Sequence, residues 1–115
     1  MKQGEIWLIN LDPTVGAEMK KTRPAIIVND DSYGKLPLKI IVPVTDWKSH
    51  YSVTDWMVKI DPDKVNGLTK ISSADCFQIR SVSKDRFIKK IGEINSVQLL
   101  SIQISLTNVL SIETT

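Results

Sequence analysis

The segment Leu11–Asp30, LDPTVGAEMKKTRPAIIVND, decides how the rest of the chain is read. Ala25–Val28 is an apolar, β-branched run of the kind that packs on a pleated, buried surface. Upstream, Glu5–Leu11 mixes alternation with an apolar centre and reads as a strand half or wholly buried. Between them lies a charged, turn-rich connection of about a dozen residues, against roughly 4 to 6 in most compact domains; connections this long are functional or disordered. It ends on Thr22-Arg23-Pro24. Pro24 biases Arg23 toward extended backbone, so the guanidinium departs from a defined point.

Downstream, Asn29–Gly34 has the chemistry of a turn. Leu38–Thr45 is another β-branched strand, and Pro43 within it cannot donate a ladder hydrogen bond, which predicts an edge position or a bulge. Trp56–Ile60 predicts a fourth strand stopped by Asp61-Pro62-Asp63, Ser73–Ile79 a shorter fifth, and Phe87–Ile91 a sixth. From Asn95 the apolar residues recur at helical spacing, predicting one helix over Ser96–Ser111 with Asn95 as its cap and Gln98 three residues on. Five or six short strands and one C-terminal helix make an α+β, mainly β domain, a small curled barrel or open sheet.

The chain of 115 residues fits one domain, 1–115, with ordinary proportions of apolar (42%) and charged (24%) residues. No stretch approaches the roughly 18 apolar residues of a membrane span. The opening MKQGEIWLIN turns polar after one lysine and lacks the apolar core of a secretory signal. A single cysteine, Cys76, excludes a disulfide framework and suits a reducing cytoplasm. The net charge of +2 is small, but Lys20–Lys48 and Lys84–Lys90 are locally basic. Such stretches attract phosphate backbones if they cluster in space and are ordinary solvated faces if they do not.

The chemistry is narrowed first by what is missing. One histidine, His50, leaves no pair of imidazoles for acid and base work; there is no Cys/His cluster, no GxGxxG and no phosphate loop. No metal or cofactor is therefore expected. What remains is chemistry available to Arg, Thr and neutral polar groups acting on a substrate that carries its own nucleophile, such as the 2′-hydroxyl of RNA. Arg23 suits the charge that builds on a pentacoordinate phosphorus, because a guanidinium is always ionised and forks onto two oxygens. The plain alternative is a strand-entrance arginine paired with Glu18 or an aspartate. Thr45, at a strand end beside Asp46, can position a hydroxyl or phosphate oxygen, or merely pack. The segment Asp46–Trp56, DWKSHYSVTDW, offers Trp47, Tyr51 and Trp56 for stacking on bases and Lys48 for a phosphate, unless Trp56 turns inward. Trp7 reads as core.

Gly4-Glu5-Ile6-Trp7, Leu11-Asp12-Pro13-Thr14-Val15-Gly16, Glu18, Thr22–Val28, Val42–Thr45 and Gln78–Val82 together closely resemble the PemK/MazF family of toxin endoribonucleases, nearly end to end. The resemblance implies a small SH3-like barrel of mostly antiparallel strands with a C-terminal helix. It also implies a homodimer, silenced by a cognate antitoxin, that cleaves single-stranded RNA (mRNA) at short sequences without a metal, leaving cyclic phosphate and 5′-hydroxyl ends. Arg23 matches the catalytic arginine and Thr45 its threonine partner. Asp12, Pro13 and Gly16 match the turn that opens the loop bordering the groove, with Glu18 in it; Gln78 and Arg80 match polar positions of a later strand. With Thr14, Lys21, Thr22, Asp46, Trp47 and Lys48 these form the expected substrate-binding set. Some family members place a histidine in the first loop and an Arg-Cys-Asp-Gln run later; here those places hold Ala17 and Asp75-Cys76-Phe77-Gln78, so the corresponding acid and base roles do not transfer. Asp75 and Asp46 are the carboxylates open to the role of base. The competing readings are a gyrase poison of the CcdB type, disfavoured by the ending Ser111-Ile112-Glu113-Thr114-Thr115, which lacks that type's aromatic tail, and a barrel that binds RNA or peptide without cutting.

Overall fold

A computed structural model describes residues 1–113; Thr114 and Thr115, the end of the tail weighed above, lie outside the described residues. Seven strands form among the described residues: β1 Glu5–Asn10, β2 Thr22–Ile27, β3 Leu38–Asp46, β4 Met57–Ile60, β5 Ser72–Asp75, β6 Arg80–Ser83 and β7 Phe87–Glu93, followed by helix α1, Ser96–Val109. Every pairing is antiparallel, in the order β4-β5-β3-β2-β1-β7 with β6 also on β3. This is the mainly β, α+β architecture expected.

β3 organises the sheet. One edge pairs with β2, while the other pairs first with β6, over Leu38–Ile41, and then with β5, over Val44–Asp46. Pro43 sits between those two partners, so it lies neither on an edge strand nor in a bulge. The Val28 N–H donates to the Ile40 carbonyl, and the antiparallel alternation then makes Ala25 and Pro43 a non-hydrogen-bonded pair. The missing donor therefore points to the gap where β6 has ended and β5 has not begun, and costs no ladder bond.

Three differences from the sequence reading bear on the site. β2 starts at Thr22, so Arg23 and Pro24 face Ile9 and Leu8 inside the ladder instead of standing in the loop exit. Trp56 precedes β4 and is 39% exposed. The run Ser73–Ile79 is not one strand: the Asp75 carboxylate accepts the Phe77 N–H and turns Cys76–Gln78 into a 3₁₀ turn, after which β6 starts on a different part of β3. A side chain competing for a backbone donor ends the ladder there, which is why there are seven strands and not five or six.

Two apolar clusters hold the sheet. Ile6, Ile26, Val42, Val44, Ile60, Ala74, Cys76 and Ile102 fill the side that α1 covers; Ile9, Leu11, Ala25, Ile27, Ile41 and Val82 fill the other, with Trp7 edge-on to Phe87 at 5.7 Å. Trp7, read from the sequence as core, is half-buried and packs against the outside of that second cluster. α1 starts on a complete capping box: the Asn95 side chain accepts the Gln98 N–H and the Gln98 side chain accepts the Asn95 N–H. It ends at Val109, two residues short of the predicted end, because Ser111 turns into the left-handed region at φ 54°. Its inner face is Leu99, Ile102 and Leu106, while Val97, Leu100 and Ile104 are exposed. No helix among the described residues is long and apolar enough to cross a membrane.

Candidate functional site

The connection between β1 and β2 is tied down at its base. The Leu11 N–H donates to the Lys21 carbonyl, the Lys21 N–H to the Asp12 carboxylate at 3.0 Å, and Lys21 adopts φ 67°, which closes the loop on itself. Two arginines brace it: Arg80, at the start of β6, donates to the Leu11 carbonyl at 3.4 Å, and Arg86, just before the neighbouring strand β7, donates to the carbonyls of Asn10 and Asp12. The basic stretch Lys84–Lys90 is largely engaged in such internal bonds, since Lys84 donates to the Gly34 carbonyl and Lys90 pairs with Glu5 at 3.3 Å. It is a set of structural ties, not a free cationic patch.

The middle of the loop is held by a relay. The Gln78 carboxamide oxygen accepts the Met19 N–H while its NH₂ donates to Asp75 at 2.9 Å. Asp75 is 4% exposed, and both its oxygens are occupied, by the Phe77 N–H and by Gln78. This aspartate anchors the loop and is not available as a base. The loop tip is closed by Glu18, whose carboxylate accepts the Val15 N–H, and Gly16 takes φ 60° there, where a side chain would be strained. Asp12 and Pro13 are joined by a cis peptide bond.

Half of the expected site residues line two hollows. A cleft of about 220 Å³ is lined by Thr22, Arg23, Pro24, Val44, Thr45 and Asp46 from β2 and β3, and by Leu68, Thr69, Lys70 and Ser72 from the connection into β5. The half-buried Arg23 donates its Nε proton to the Lys20 carbonyl at 3.1 Å, which aims the rest of the guanidinium. That bond, and not the carboxylate pair of the plain alternative, is its partner among the described residues. Thr45 lies opposite Ser73 in the β3–β5 ladder. Asp46, one residue on, pairs with Lys70 at 3.0 Å. A second hollow of about 380 Å³ holds Glu18, Gln78 and Arg80 with Leu11, Ala17, Met19, Pro43 and Phe77.

Asp12, Pro13, Thr14, Gly16, Lys21, Trp47 and Lys48 line neither hollow. Trp47 stands beside the first, edge-on to Tyr51 at 5.8 Å with the Lys59 ammonium 5.5 Å from its ring centre. Trp56 leans toward the exposed Phe77 at 6.3 Å, so it neither packs wholly inward nor joins the Trp47 group. Lys70 and Thr69 were not legible beforehand: they lie in a stretch without period or motif and reach the cleft only because the β4–β5 hairpin, pairing Ile60 with Ser72, folds back beside β3. Cys76 is fully buried; burial raises its thiol pKa and the charge of Asp75 adds to that, against a hydrogen bond from Ser105, so it is poorly suited to nucleophilic work.

A curled antiparallel sheet with one C-terminal helix, an arginine and a threonine lining one cleft, and a long tethered loop beside it make a small, mainly β barrel domain. Residues 2–110 match the profile of the PemK-like, MazF-like toxins of type II toxin-antitoxin systems, and the chain belongs to that family. It is 30% identical to the endoribonuclease MazF9 of Mycobacterium tuberculosis over 105 residues, 86% of each chain. It is 39% identical to the endoribonuclease PemK of Escherichia coli over 62 residues, 53% of this chain and 47% of that one. Among solved structures, MazF from Deinococcus radiodurans superposes with a TM-score of 0.82 at 21% identity over 97% of both chains. A mycobacterial endoribonuclease in complex with its cognate antitoxin superposes with a TM-score of 0.78 at 16% identity, over 100% of this chain and 99% of that one.

Proposed function

We propose that this protein is a sequence-specific endoribonuclease toxin that cuts single-stranded RNA without a metal. The 2′-oxygen attacks the adjacent phosphorus as the bond to the 5′-oxygen breaks, leaving a cyclic phosphate and a 5′-hydroxyl. The observation that carries this reading is the placement of Arg23 and Thr45 on the walls of one cleft in a member of this family. Arg23 then stabilises the phosphorane charge with the guanidinium edge left free by its Nε bond to Lys20. Thr45 orients the 2′-hydroxyl or a phosphate oxygen. The hollow containing Glu18, Gln78 and Arg80 receives a neighbouring nucleotide.

The protein works as a cytoplasmic homodimer held in check by an antitoxin protein. In support, it leaves unusual apolar surface uncovered: Val97, Leu100 and Ile104 on α1, and a groove of about 450 Å³ lined by Tyr33, Leu36, Leu38 and Ile40. Contiguous exposed apolar surface of this kind is characteristic of chains with protein partners.

The test is to incubate the protein and its Arg23→Ala variant with a long mixed-sequence RNA in EDTA and to sequence the fragment ends. Discrete cuts with 5′-hydroxyl ends, absent on a 2′-deoxy substrate and reduced about 10² to 10³-fold in the variant, are expected. Intact RNA with the wild-type protein, or a variant that cuts within a few-fold of it, refutes the assignment.

A further inference from the structure

Lys70 stands in the cleft with no part in the scheme above. Its ammonium sits 3.0 Å from Oδ1 and 3.1 Å from Oδ2 of Asp46, so one carboxylate presents both oxygens to one cation. Two non-bridging phosphate oxygens present themselves in the same way. Both partners are held at the backbone: the buried Ser72 hydroxyl donates to the Lys70 carbonyl at 2.9 Å, and the Trp47 N–H, next to Asp46, donates to the Ile71 carbonyl at 3.1 Å. The side chains themselves are 66% and 60% exposed. An ion pair this wet adds little to stability, so exchanging one anionic partner for another costs little. It also lines the cleft whose other lining cation is Arg23, joining the end of β3 to the connection that leads into β5.

We propose that Lys70 is a backbone-phosphate contact of the RNA substrate, and that Asp46 occupies it until the substrate arrives. The proposal rests on the endoribonuclease reading. Arg23 holds the reacting phosphate, and Lys70 takes a flanking one. On binding, the phosphate displaces the Asp46 carboxylate, which swings into solvent from its place at the strand end. The pair thus acts as a built-in competitor: polyanions bind only where they displace a carboxylate already in place.

The proposal predicts a specific non-additivity. Binding is measured by fluorescence anisotropy with a dye-labelled single-stranded oligonucleotide carrying 2′-methoxy groups, which blocks cutting, between 50 and 200 mM salt. Lys70→Gln should lower the slope of log affinity against log salt by about 0.7, so that the wild type's advantage shrinks about 2.6-fold across this range. Asp46→Asn should tighten binding several-fold in the wild-type background and not at all in the Lys70→Gln background. In cleavage assays Lys70→Gln should raise KM with little change in kcat, since it holds a phosphate that does not react. Equal slopes for wild type and Lys70→Gln, or the same gain from Asp46→Asn with and without Lys70, overturn the proposal while leaving the nuclease assignment standing. A wild-type protein that neither binds nor cuts RNA overturns both.

Discussion

The Asp75–Gln78–Met19 relay makes a prediction in which hydrogen-bond polarity alone decides the outcome. A carboxylate only accepts, so Asp75 forces the Gln78 NH₂ inward and its oxygen outward to the loop, where it receives the Met19 N–H. Asp75→Asn keeps the shape. Its oxygen can still take the Phe77 N–H, held at 3.1 Å in the wild type, but its NH₂ then faces the NH₂ of Gln78 at about 3 Å. If Gln78 flips to relieve this, the same opposition moves to Met19. One buried or half-buried donor goes unpaired in either case, which costs roughly 1 to 3 kcal/mol. For a domain of this size that is a fall in melting temperature of about 4 to 12 °C. Gln78→Glu alone should also destabilise, because two carboxylates then meet. The double variant Asp75→Asn/Gln78→Glu restores every donor to an acceptor: the introduced amide donates to the introduced carboxylate, whose other oxygen receives the Met19 N–H. It should melt within a few degrees of wild type, and the Met19 amide, exchanging faster in both single variants, should recover its protection. The assay is a thermal-melt double-mutant cycle with amide exchange read at Met19. Additive losses in the double variant refute the relay.

Three further outcomes follow from the same geometry. Gly92→Ala places a Cβ about 2.4 to 2.5 Å from the backbone of Val65 and Asn66, where no flexible side chain can yield; the Glu93 N–H to Val65 carbonyl bond beside it should go as well. A loss of roughly 2 to 4 kcal/mol is expected in denaturant titration, and a loss under about 1 kcal/mol would mean that the loop moves freely. Burial alone would raise the Glu5 carboxyl, but hydrogen bonds from the Trp7 side chain, the Lys2 backbone N–H and the Lys90 side chain, with the N-terminal charge, hold it below its ordinary 4.5. A depressed carboxylate adds stability that is present above its unfolded pKa and lost as pH falls through the folded one. Glu5→Gln should therefore narrow its stability gap to wild type as pH falls from about 5 toward about 3, and a gap that does not change with pH would contradict this origin. Arg23→Lys keeps the charge but not the fork, and should recover less than about a tenth of the cleavage rate that Arg23→Ala loses, with a melting temperature close to wild type because Arg23 forms one half-exposed hydrogen bond.

The elements legible in the sequence were those set by neighbours in the chain. The runs Ala25–Val28 and Leu38–Thr45 supply the strand residues Ala25–Ile27 and Leu38–Thr45 because β-branched runs bounded by turn residues have few alternatives, and the Asn95/Gln98 capping box is complete within four residues. Their boundaries were less legible. The break at Cys76–Gln78 depends on Asp75 capturing a backbone donor, and the same composition would read as strand if that carboxylate turned elsewhere. Pro43 shows the same limit from the other direction: its isolated chemistry points to an edge, and the change of partner from β6 to β5 on a central strand answers it equally well.

At the candidate site, Arg23 and Thr45 were open to a plain structural reading on residue type alone and were singled out by the family resemblance, whereas their common cleft and its division from the hollow of Glu18, Gln78 and Arg80 could not be read at all. The two carboxylates that looked alike as bases, Asp46 and Asp75, part completely: one is an exposed partner of Lys70, the other a buried anchor for the first loop. The reason is that propensity and capping are energies of a few neighbouring residues, which a string of letters states directly. Burial, cleft walls and the pairing of Asp46 with Lys70, 24 residues away, are products of strand order. Only the folded sheet brings those letters together.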